Sequence, residues 1–245
     1  MNKGIGLLLL AAGTVWMGVL SIPDSRLHVV FCDVGQGDAT LISYKTNQLL
    51  IDGGPSDKIF ECLEKHMPFW DRTIEVAVAT HKQQDHEFGI KEVAKRYRVI
   101  SYEPVLRQGQ EVRMGDIIYK IWWPNDKVLG TNTLGEDNNE GIVGTVSFGE
   151  FDVLLTADVD PKNYENVEGV EVVKVPHHGS KFQWERAWYE KINPALAVIS
   201  VGKNSYGHPS DEVIKGLRDE GIKVLRTDEN GTIEIVSDGI KWWVR

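Results

Sequence analysis

The sequence predicts an α+β fold with enough apolar material for one large domain or two small ones. Short apolar runs rich in branched residues recur along the chain, as at 74–79 and 172–175, and they are typical of buried strands. Helix-like patterns, as at 87–97, separate several of these runs. Of the 245 residues, 42% are hydrophobic and 26% are charged, which is typical of a folded globular chain.

The N-terminal segment is expected to be a leader. After Lys3, residues 4–22 carry no charge, and a run of this length can just cross a bilayer. One preceding basic residue fits a signal sequence or a membrane anchor over residues 1–23, and a weak cleavage signal leaves both open. A buried N-terminal helix is the third interpretation. Either leader would place residues 24–245 outside the cytoplasm, secreted or anchored, with membrane contact only through an uncleaved segment.

Charge and cysteine content limit the possible functions. The net charge of -9 repels polyanions, so contact with nucleic acid requires a local basic patch or bound metal. The two cysteines, Cys32 and Cys62, are too few for a disulfide framework or a thiolate zinc cluster. Because Cys32 lies in an apolar strand and Cys62 on a predicted helix, we expect two unpaired thiols packed in the core.

The first half of the chain alternates strands with turns and two helices. Strands are expected over 28–32, 39–42, 48–51, 74–79, 98–102, 111–114 and 117–123, and helices over 57–67 and 87–97. Two glycines in the segment 33–38 permit a tight bend after the first strand. Asp52 ends the third strand, where a carboxylate can orient a neighbouring loop by accepting hydrogen bonds.

The second half also alternates strands with helices, after a polar, Gly- and Asn-rich loop at 127–140. Strands are expected over 142–148, 151–156, 172–175 and 195–200, helices over 183–192 and 210–220, and three short strands at the end. Long loops of this kind are often functional.

Five of the seven histidines lie in loops that follow predicted strands. His81, Asp85 and His86 share one such loop, and imidazole and carboxylate are ligands for zinc, manganese or iron. Taken alone, this loop is compatible with a polar turn that happens to hold two histidines, Asp158 with a turn residue and His208 with loop packing. Taken together with the other loop histidines, they predict a metal centre.

Six segments occur in order along the chain: DVGQGD (33–38), LLIDGG (49–54), THKQQDH (80–86), LLTAD (154–158), VPHHGS (175–180) and NSYGHP (204–209). They resemble the successive motifs of the metallo-β-lactamase-fold domain at the C-terminal end of ComEC-type competence proteins. The resemblance covers roughly residues 27–236 and implies a single domain over 24–245, built as a four-layer αββα sandwich with metals at one edge.

The resemblance also implies a ligand set for one or two divalent cations, zinc or manganese. His81 resembles a ligand of a first metal, and Asp85 and His86 resemble ligands of a second. Asp158 resembles the carboxylate that bridges both. One histidine of the adjacent pair at 177 and 178 is expected to ligate, and His178 is preferred.

Other residues are assigned to catalysis or support by the same resemblance. His177 and His208 are expected to face the phosphate or leaving group, where either can protonate the leaving alkoxide. Asp85 is counted with them as a catalytic group. The supporting residues are Asp33, Asp38, Asp52, Gln83 and Asn138.

The chain departs from the family pattern at the first metal position. Gln83 stands where His or Asp is usual, and no histidine occurs between His86 and His177. Ala157 replaces a glycine that usually precedes the bridging carboxylate. Asn138 or Glu140 is a candidate replacement ligand.

The resemblance implies a metal-dependent phosphodiesterase or nuclease that acts on DNA outside the cytoplasm, in DNA uptake. A catalytically weak or inactive binding module of the same fold is an alternative from another class, with protein partners that the sequence does not identify. Hydrolysis of small or cell-wall phosphoesters is a third possibility, consistent with the acidic surface.

Overall fold

The computed structural model describes residues 23–129 and 138–245. The predicted leader up to residue 22 and the middle of the loop at 127–140 lie outside these residues. Within the described part of the chain, no helix is long and apolar enough to cross a membrane.

Over residues 23–129 and 138–245, fourteen strands form two sheets, and their bounds follow the apolar runs of the sequence. The strands are β1 (Leu27–Phe31), β2 (Thr40–Tyr44), β3 (Asn47–Ile51), β4 (Thr73–Val78), β5 (Arg98–Glu103), β6 (Glu111–Met114), β7 (Ile117–Trp123), β8 (Val143–Phe148), β9 (Phe151–Leu155), β10 (Val172–Lys174), β11 (Leu196–Ile199), β12 (Lys223–Arg226), β13 (Ile233–Ser237) and β14 (Trp242–Val244). The helices are α1 (Ile59–His66), α2 (Gln84–Arg96), α3 (Asp126–Leu129), α4 (Arg186–Ile192), α5 (Asp211–Asp219) and α6 (Thr227–Asn230).

Each sheet has seven strands and a mixed topology. The first has the order β14-β13-β1-β2-β3-β4-β5, and the second has the order β12-β11-β10-β9-β8-β7-β6. Strands β3, β4 and β5 run parallel, as do β9, β10, β11 and β12. Parallel neighbours end at the same edge of a sheet, so the loops after them are brought together.

Three apolar clusters define four layers. Between the sheets lies a core that includes Phe31, Ile42, Tyr119 and Val153. The outer face of the first sheet packs against α1 and α2, and the outer face of the second packs against α4 and α5. The α+β class and the αββα sandwich expected from the sequence are therefore confirmed.

The prediction of two unpaired thiols was wrong. Cys32 and Cys62 form a disulfide, with Cα atoms 5.7 Å apart, that ties the end of β1 to α1. Both cysteines belong to the cluster between the first sheet and its helices. The sequence did not show that the helix face carrying Cys62 packs over the strand end carrying Cys32.

Candidate metal centre

Predicted ligands and the supporting residue Asp52 lie where parallel strands of the two sheets end. Asp52 follows β3, His81 follows β4, Asp158 follows β9 and His178 follows β10. His86 joins them from the first turn of α2. Because these loops share one edge of the sandwich, residues far apart in sequence converge.

Two glycines bring α2 against the end of β3. The Gly53 amide donates to the His86 carbonyl at 2.7 Å, and the Gly89 amide donates to the Gly54 carbonyl at 2.9 Å. A Cβ atom on Gly89 would lie 1.8 Å from the Gly53 carbonyl oxygen. Only glycine permits this approach, which sets His86 beside the carboxylate that precedes Gly53.

Four side chains converge at the centre. His86 Nε2 lies 3.4 Å from Asp158 Oδ2, and His178 Nε2 lies 3.7 Å from the same oxygen. His178 Nε2 also lies 3.5 Å from Asp85 Oδ2. Candidate ligand atoms of Asp85, His86 and His178 all lie within 4.8 Å of one another. The structure thus gathers the four residues predicted for the second metal position.

The two central imidazoles are oriented by bonds to their other ring nitrogen. His86 Nδ1 lies 2.8 Å from Asp52 Oδ2, and His178 Nδ1 lies 2.8 Å from the Ser200 carbonyl. Both acceptors require a proton on Nδ1, which leaves Nε2 as the atom that faces Asp158. Asp52 is fixed in turn because the Thr80 amide donates to Asp52 Oδ1 at 2.8 Å.

The donor atoms fit a divalent cation. Among the described residues, His86 Nε2, His178 Nε2 and both Asp158 carboxylate oxygens are buried without a hydrogen-bond partner. Buried polar atoms are rarely left without a hydrogen-bond partner. One recognised explanation for an exception is that the atoms bind an ion. Imidazole nitrogens and carboxylate oxygens suit zinc or manganese.

The carboxylates of the cluster favour the charged form of its two central imidazoles. Burial opposes a charged His178, but Asp158 and Asp38 outweigh it and raise its pKa to about 9. Burial likewise opposes a charged His86, yet Asp158 and Asp52 raise its pKa well above the ordinary value. In the absence of a cation the carboxylates therefore hold protons on these rings, and a bound cation would replace those protons.

His81 lies beside His86 in the cluster. Its ring centroid lies 4.0 Å from that of His86, and its Nδ1 lies 3.0 Å from Thr80 Oγ1. Burial, together with the charge on His86, lowers the pKa of His81 to about 4, so its ring is neutral. Its buried Nε2 also has no hydrogen-bond partner among the described residues. Candidate ligand atoms of His81, His86 and Asp158 lie within 4.8 Å of one another, and the role of His81 as a ligand of a first metal stays a prediction.

Gln83 takes part in a hydrogen-bond chain. Its Nε2 donates to Asn138 Oδ1, and Asn138 Nδ2 lies 3.3 Å from His177 Nε2. His177 Nδ1 lies 3.2 Å from Gln183 Oε1, a partner that the sequence did not suggest. These hydrogen bonds therefore link Gln83 to His177, whose Nε2 is 3.8 Å from Asp158 Oδ2. Glu140, the other candidate replacement, is buried and lines a separate cavity of about 290 Å³ beside His81.

Lys174 is a central residue that sequence reasoning missed. Its buried Nζ forms an ion pair with Asp38, donates to the Ala157 carbonyl at 2.7 Å and lies 3.6 Å from Asp158 Oδ1. Burial disfavours the charged lysine, but Asp38 and Asp158 raise the pKa of Lys174 above its ordinary value. The available signal was a lysine within the apolar run directly before the PHHG turn.

Of the other carboxylates predicted to support the centre, one reaches it and one does not. Asp38 Oδ1 lies 3.4 Å from His178 Nδ1. Asp33 instead accepts a hydrogen bond from the Gly35 amide at 3.2 Å, and its own amide donates to Thr232 Oγ1. Asp33 therefore shapes the bend, and none of its described contacts is with a predicted ligand.

Left-handed backbone is concentrated at the centre. The φ angles are 58° at Asp52, 47° at Ala157, 48° at His177 and 53° at His178. Residues other than glycine rarely adopt this conformation, and it clusters at functional sites. A glycine would adopt the positive φ of Ala157 without the steric cost that an alanine carries there.

A cleft of about 830 Å³ opens onto the centre. Its lining includes Asp85, His177, His178, His208 and Tyr206. The His177 and His208 rings meet edge to face with centroids 5.4 Å apart. The two histidines predicted to face a substrate therefore lie together at the mouth of the cleft.

Several curated proteins resemble the chain in sequence. The chain is 28% identical over 262 residues to ComE operon protein 3 of Bacillus subtilis, covering 86% of this chain and 33% of that protein. It is 27% identical over 256 residues to competence protein ComA of Neisseria gonorrhoeae, covering 95% of this chain and 36% of that protein. The chain spans about a third of the length of these relatives. Comparison with models of protein families gives no match.

Solved structures share the fold at low sequence identity. The metallo-beta-lactamase fold protein YhfI of Bacillus subtilis superposes with a TM-score of 0.60 at 11% identity, over 85% of this chain and 99% of that chain. A diphosphatase from the PhnP family gives 0.53 at 13% identity, over 86% of this chain and 98% of that chain. The chain therefore has the metallo-β-lactamase fold, and its sequence is similar to ComEC-type competence proteins.

Proposed function

We propose that the chain is a metal-dependent phosphodiesterase that cleaves DNA outside the cytoplasm. The observation that carries this proposal is the cluster of Asp85, His86 and His178, whose candidate ligand atoms lie within 4.8 Å of one another, with Asp158 beside both histidines and a cleft that opens onto Asp85 and His178. Several of their donor atoms are buried and lack hydrogen-bond partners among the described residues. Such an arrangement is costly unless it binds something.

Each residue of the centre has a definite part in this proposal. Asp85, His86, Asp158 and His178 would hold a divalent cation, which would lower the pKa of a bound water and stabilise charge on a phosphodiester oxygen. Asp52 and the Ser200 carbonyl keep the His86 and His178 rings turned toward Asp158. These two hydrogen bonds fix the orientation of the imidazole ligands before substrate binds.

His177 and His208 are proposed to handle the proton on the leaving group. Burial lowers the pKa of both rings, and the nearby histidines contribute in the same direction. Each ring is therefore neutral until an anion lies beside it. A bound phosphodiester supplies that negative charge, so one ring can take up a proton and deliver it to the departing alkoxide.

Two observations favour a phosphodiester substrate, and two others favour a location outside the cytoplasm. The sequence resembles proteins named for competence, and a diphosphatase is among the structural neighbours. A disulfide persists in oxidising compartments and is rare in the cytosol. The uncharged run at 4–22 fits export or anchoring. Because the whole chain is acidic, we expect DNA to approach through the bound cation and local groups such as Lys203 in the cleft.

The test is cleavage by the purified chain with and without added Mn²⁺ or Zn²⁺. Substrates are plasmid DNA, single-stranded DNA and bis(p-nitrophenyl) phosphate. We expect cation-dependent cleavage that Asp158→Ala removes and that Asp126→Ala, a change at an exposed carboxylate, leaves intact. Cation binding without any cleavage that depends on Asp158 would overturn the enzymatic proposal. Cleavage of the small ester with no action on DNA would favour a small or cell-wall phosphoester as substrate.

One observation favours the alternative, a catalytically weak binding module. The Gln83 amide is engaged with Asn138, and the sequence supplies no histidine between His86 and His177 to complete the first metal position. A centre with one position weakened can retain the fold and a binding cleft at reduced activity. DNA binding by the metal-loaded chain without turnover would identify this function.

A further inference from the structure

Lys174 lies in an acidic position beside the proposed cation site that could itself hold a cation. Candidate ligand atoms of Asp38, Asp158 and His178 lie within 4.8 Å of one another. The Lys174 ammonium group already occupies this acidic position, since it pairs with Asp38 and lies 3.6 Å from Asp158 Oδ1. Its side chain is only 3% exposed, so water screens its charge little.

The two oxygens of Asp158 face different partners. Oδ1 faces Lys174, whereas Oδ2 faces the Nε2 atoms of His86 and His178 at 3.4 and 3.7 Å. A carboxylate that bridges two metals through its two oxygens needs both of them free. Here one oxygen is directed at an ammonium group, which leaves the other for a cation.

At the first metal position, candidate ligand atoms of His81, His86 and Asp158 lie within 4.8 Å of one another. His86 Nδ1 is bonded to Asp52, so a cation at the second position takes the one free ring nitrogen of His86 away from the first. His81 is in place, but Gln83 donates to Asn138, and Asn138 is directed at His177. A neutral amide held in a hydrogen-bond chain is a weaker ligand than the imidazole or carboxylate usual there. The positive charge missing from that position must therefore come from elsewhere if Asp38 and Asp158 are to stay ionised in a buried site.

We propose that the centre holds a single divalent cation, bound by Asp85, His86, Asp158 and His178, and that the Lys174 ammonium group supplies the positive charge of a second. Lys174 acts as a positioning residue, because it fixes Asp158 and excludes another cation from Asp38. The inference rests on the proposed metal centre and is independent of which substrate is cleaved.

The test measures Mn²⁺ bound per chain by equilibrium dialysis, with electron paramagnetic resonance of the bound ion. We expect the wild-type chain to bind one Mn²⁺ with the spectrum of an isolated ion. Lys174→Met should bind a second Mn²⁺ and give an exchange-coupled spectrum, because Asp38 and Asp158 Oδ1 lose their counter-charge. Lys174→Arg keeps the charge and should bind one. The double variant Asp38→Asn/Lys174→Met removes both charges and should also bind one.

Each outcome decides the inference. Two ions in the wild-type chain, or one ion in a Lys174→Met chain that circular dichroism shows to be folded, would overturn it. If Lys174→Met does not fold, the wild-type and Lys174→Arg stoichiometries decide it, and two ions in either overturn it. No bound cation in the wild-type chain would overturn the metal centre and the proposed function together. Two ions bound to the wild-type chain, with cleavage intact, would overturn the proposed role of Lys174 and leave the proposed function standing.

Discussion

At the residue scale, the candidate centre depends on groups that hold its ligands as much as on the ligands. Asp52 accepts from His86 and from both the amide and the hydroxyl of Thr80, and it is 1% exposed. This carboxylate therefore links the ends of β3 and β4 to the first turn of α2. Loss of its charge would leave the His86 ring free to turn and make its nitrogen a weaker base.

Asp52→Asn is accordingly expected to weaken Mn²⁺ or Zn²⁺ binding by roughly 10–100-fold with the fold retained. Isothermal titration of the purified chain measures the change. Asp33→Asn is the matched control, because Asp33 was predicted to support the centre but is bonded to Gly35 and Thr232 instead. Equal losses in the two variants would show that the Asp52–His86 contact does not orient the ligand.

Gln183 should affect turnover without affecting the metal. It accepts from His177 Nδ1 at 3.2 Å, so Gln183→Leu removes the group that fixes the tautomer of a ring at the mouth of the cleft. We expect kcat of the metal-loaded chain to fall by roughly tenfold or more. KM for the phosphodiester and the number of cations bound per chain should stay unchanged. Steady-state kinetics and equilibrium dialysis on the same preparation check this, and an unchanged kcat would contradict it.

Sequence patterns anticipated the residues of the centre better than the contacts between them. His81, Asp85, His86, Asp158 and His178 could be selected because they lie in motifs that resemble those of a known family, in loops that follow predicted strands. Lys174 and Gln183 could not be selected in this way. Their importance depends on which groups of the other loops they meet. A lysine within an apolar run is unusual, but the run does not identify the carboxylates that the lysine contacts. The metal roles of the five residues stay predictions until a cation is observed.

At the scale of elements, the disulfide joins a strand to the helix that covers it. Cys32 follows β1 and Cys62 lies in α1, and the bridge closes a loop with a sequence separation of 30. Cross-linking a loop of this size restricts the unfolded chain and stabilises the native state by about 3–4 kcal/mol. The apolar surroundings that suggested unpaired thiols are the cluster that this bridge crosses.

The double variant Cys32→Ala/Cys62→Ala should therefore lower the free energy of unfolding by about 3–4 kcal/mol. Urea unfolding of the variant and of the oxidised wild-type chain measures the difference. Reduced wild-type protein should lose a similar amount. A loss below about 1 kcal/mol in both would show that the bridge does not constrain the unfolded chain as this mechanism requires.

The pairing of β1 with β13 includes a titratable contact. His28 Nδ1 lies 2.7 Å from Glu234 Oε1. Burial opposes a charged His28, but Glu234 and Asp24 outweigh it and raise its pKa above 6.5. The stability from this charge is full below the unfolded value of 6.5 and is lost as pH rises through the raised value.

Consequently, His28→Gln should lower the free energy of unfolding by about 1 kcal/mol more at pH 6 than at pH 9. Urea unfolding at both pH values measures the difference. His66→Gln provides the opposite case. Burial lowers the pKa of His66, so the wild-type ring opposes folding at acid pH and its replacement should be relatively more favourable at pH 6. The same pH trend in both variants would contradict the assigned environments.

At the scale of the whole molecule, the centre exists only because two sheets meet at one edge. Asp52, His81 and His86 come from the half of the chain that builds the first sheet up to β5. Asp158, Lys174 and His178 come from the second sheet. The strands return to the first sheet at β13 and β14, which closes the sandwich.

This architecture was predictable from the sequence only in part. Apolar runs gave the strands and their order of occurrence, and the motif order indicated the family fold. The return of β13 to pair with β1 is a long-range contact that no local pattern records. The leader and the domain boundary at residue 24 stay predictions, since residues 1–22 lie outside the described residues.

The most direct test of the central claim is anomalous X-ray scattering from crystals of the chain soaked with Mn²⁺ or Zn²⁺. The account predicts a strong peak bounded by Asp85, His86, Asp158 and His178, and its loss in Asp158→Ala crystals. No peak at this position, or a peak that persists without the Asp158 carboxylate, would contradict the metal centre on which the proposed function rests.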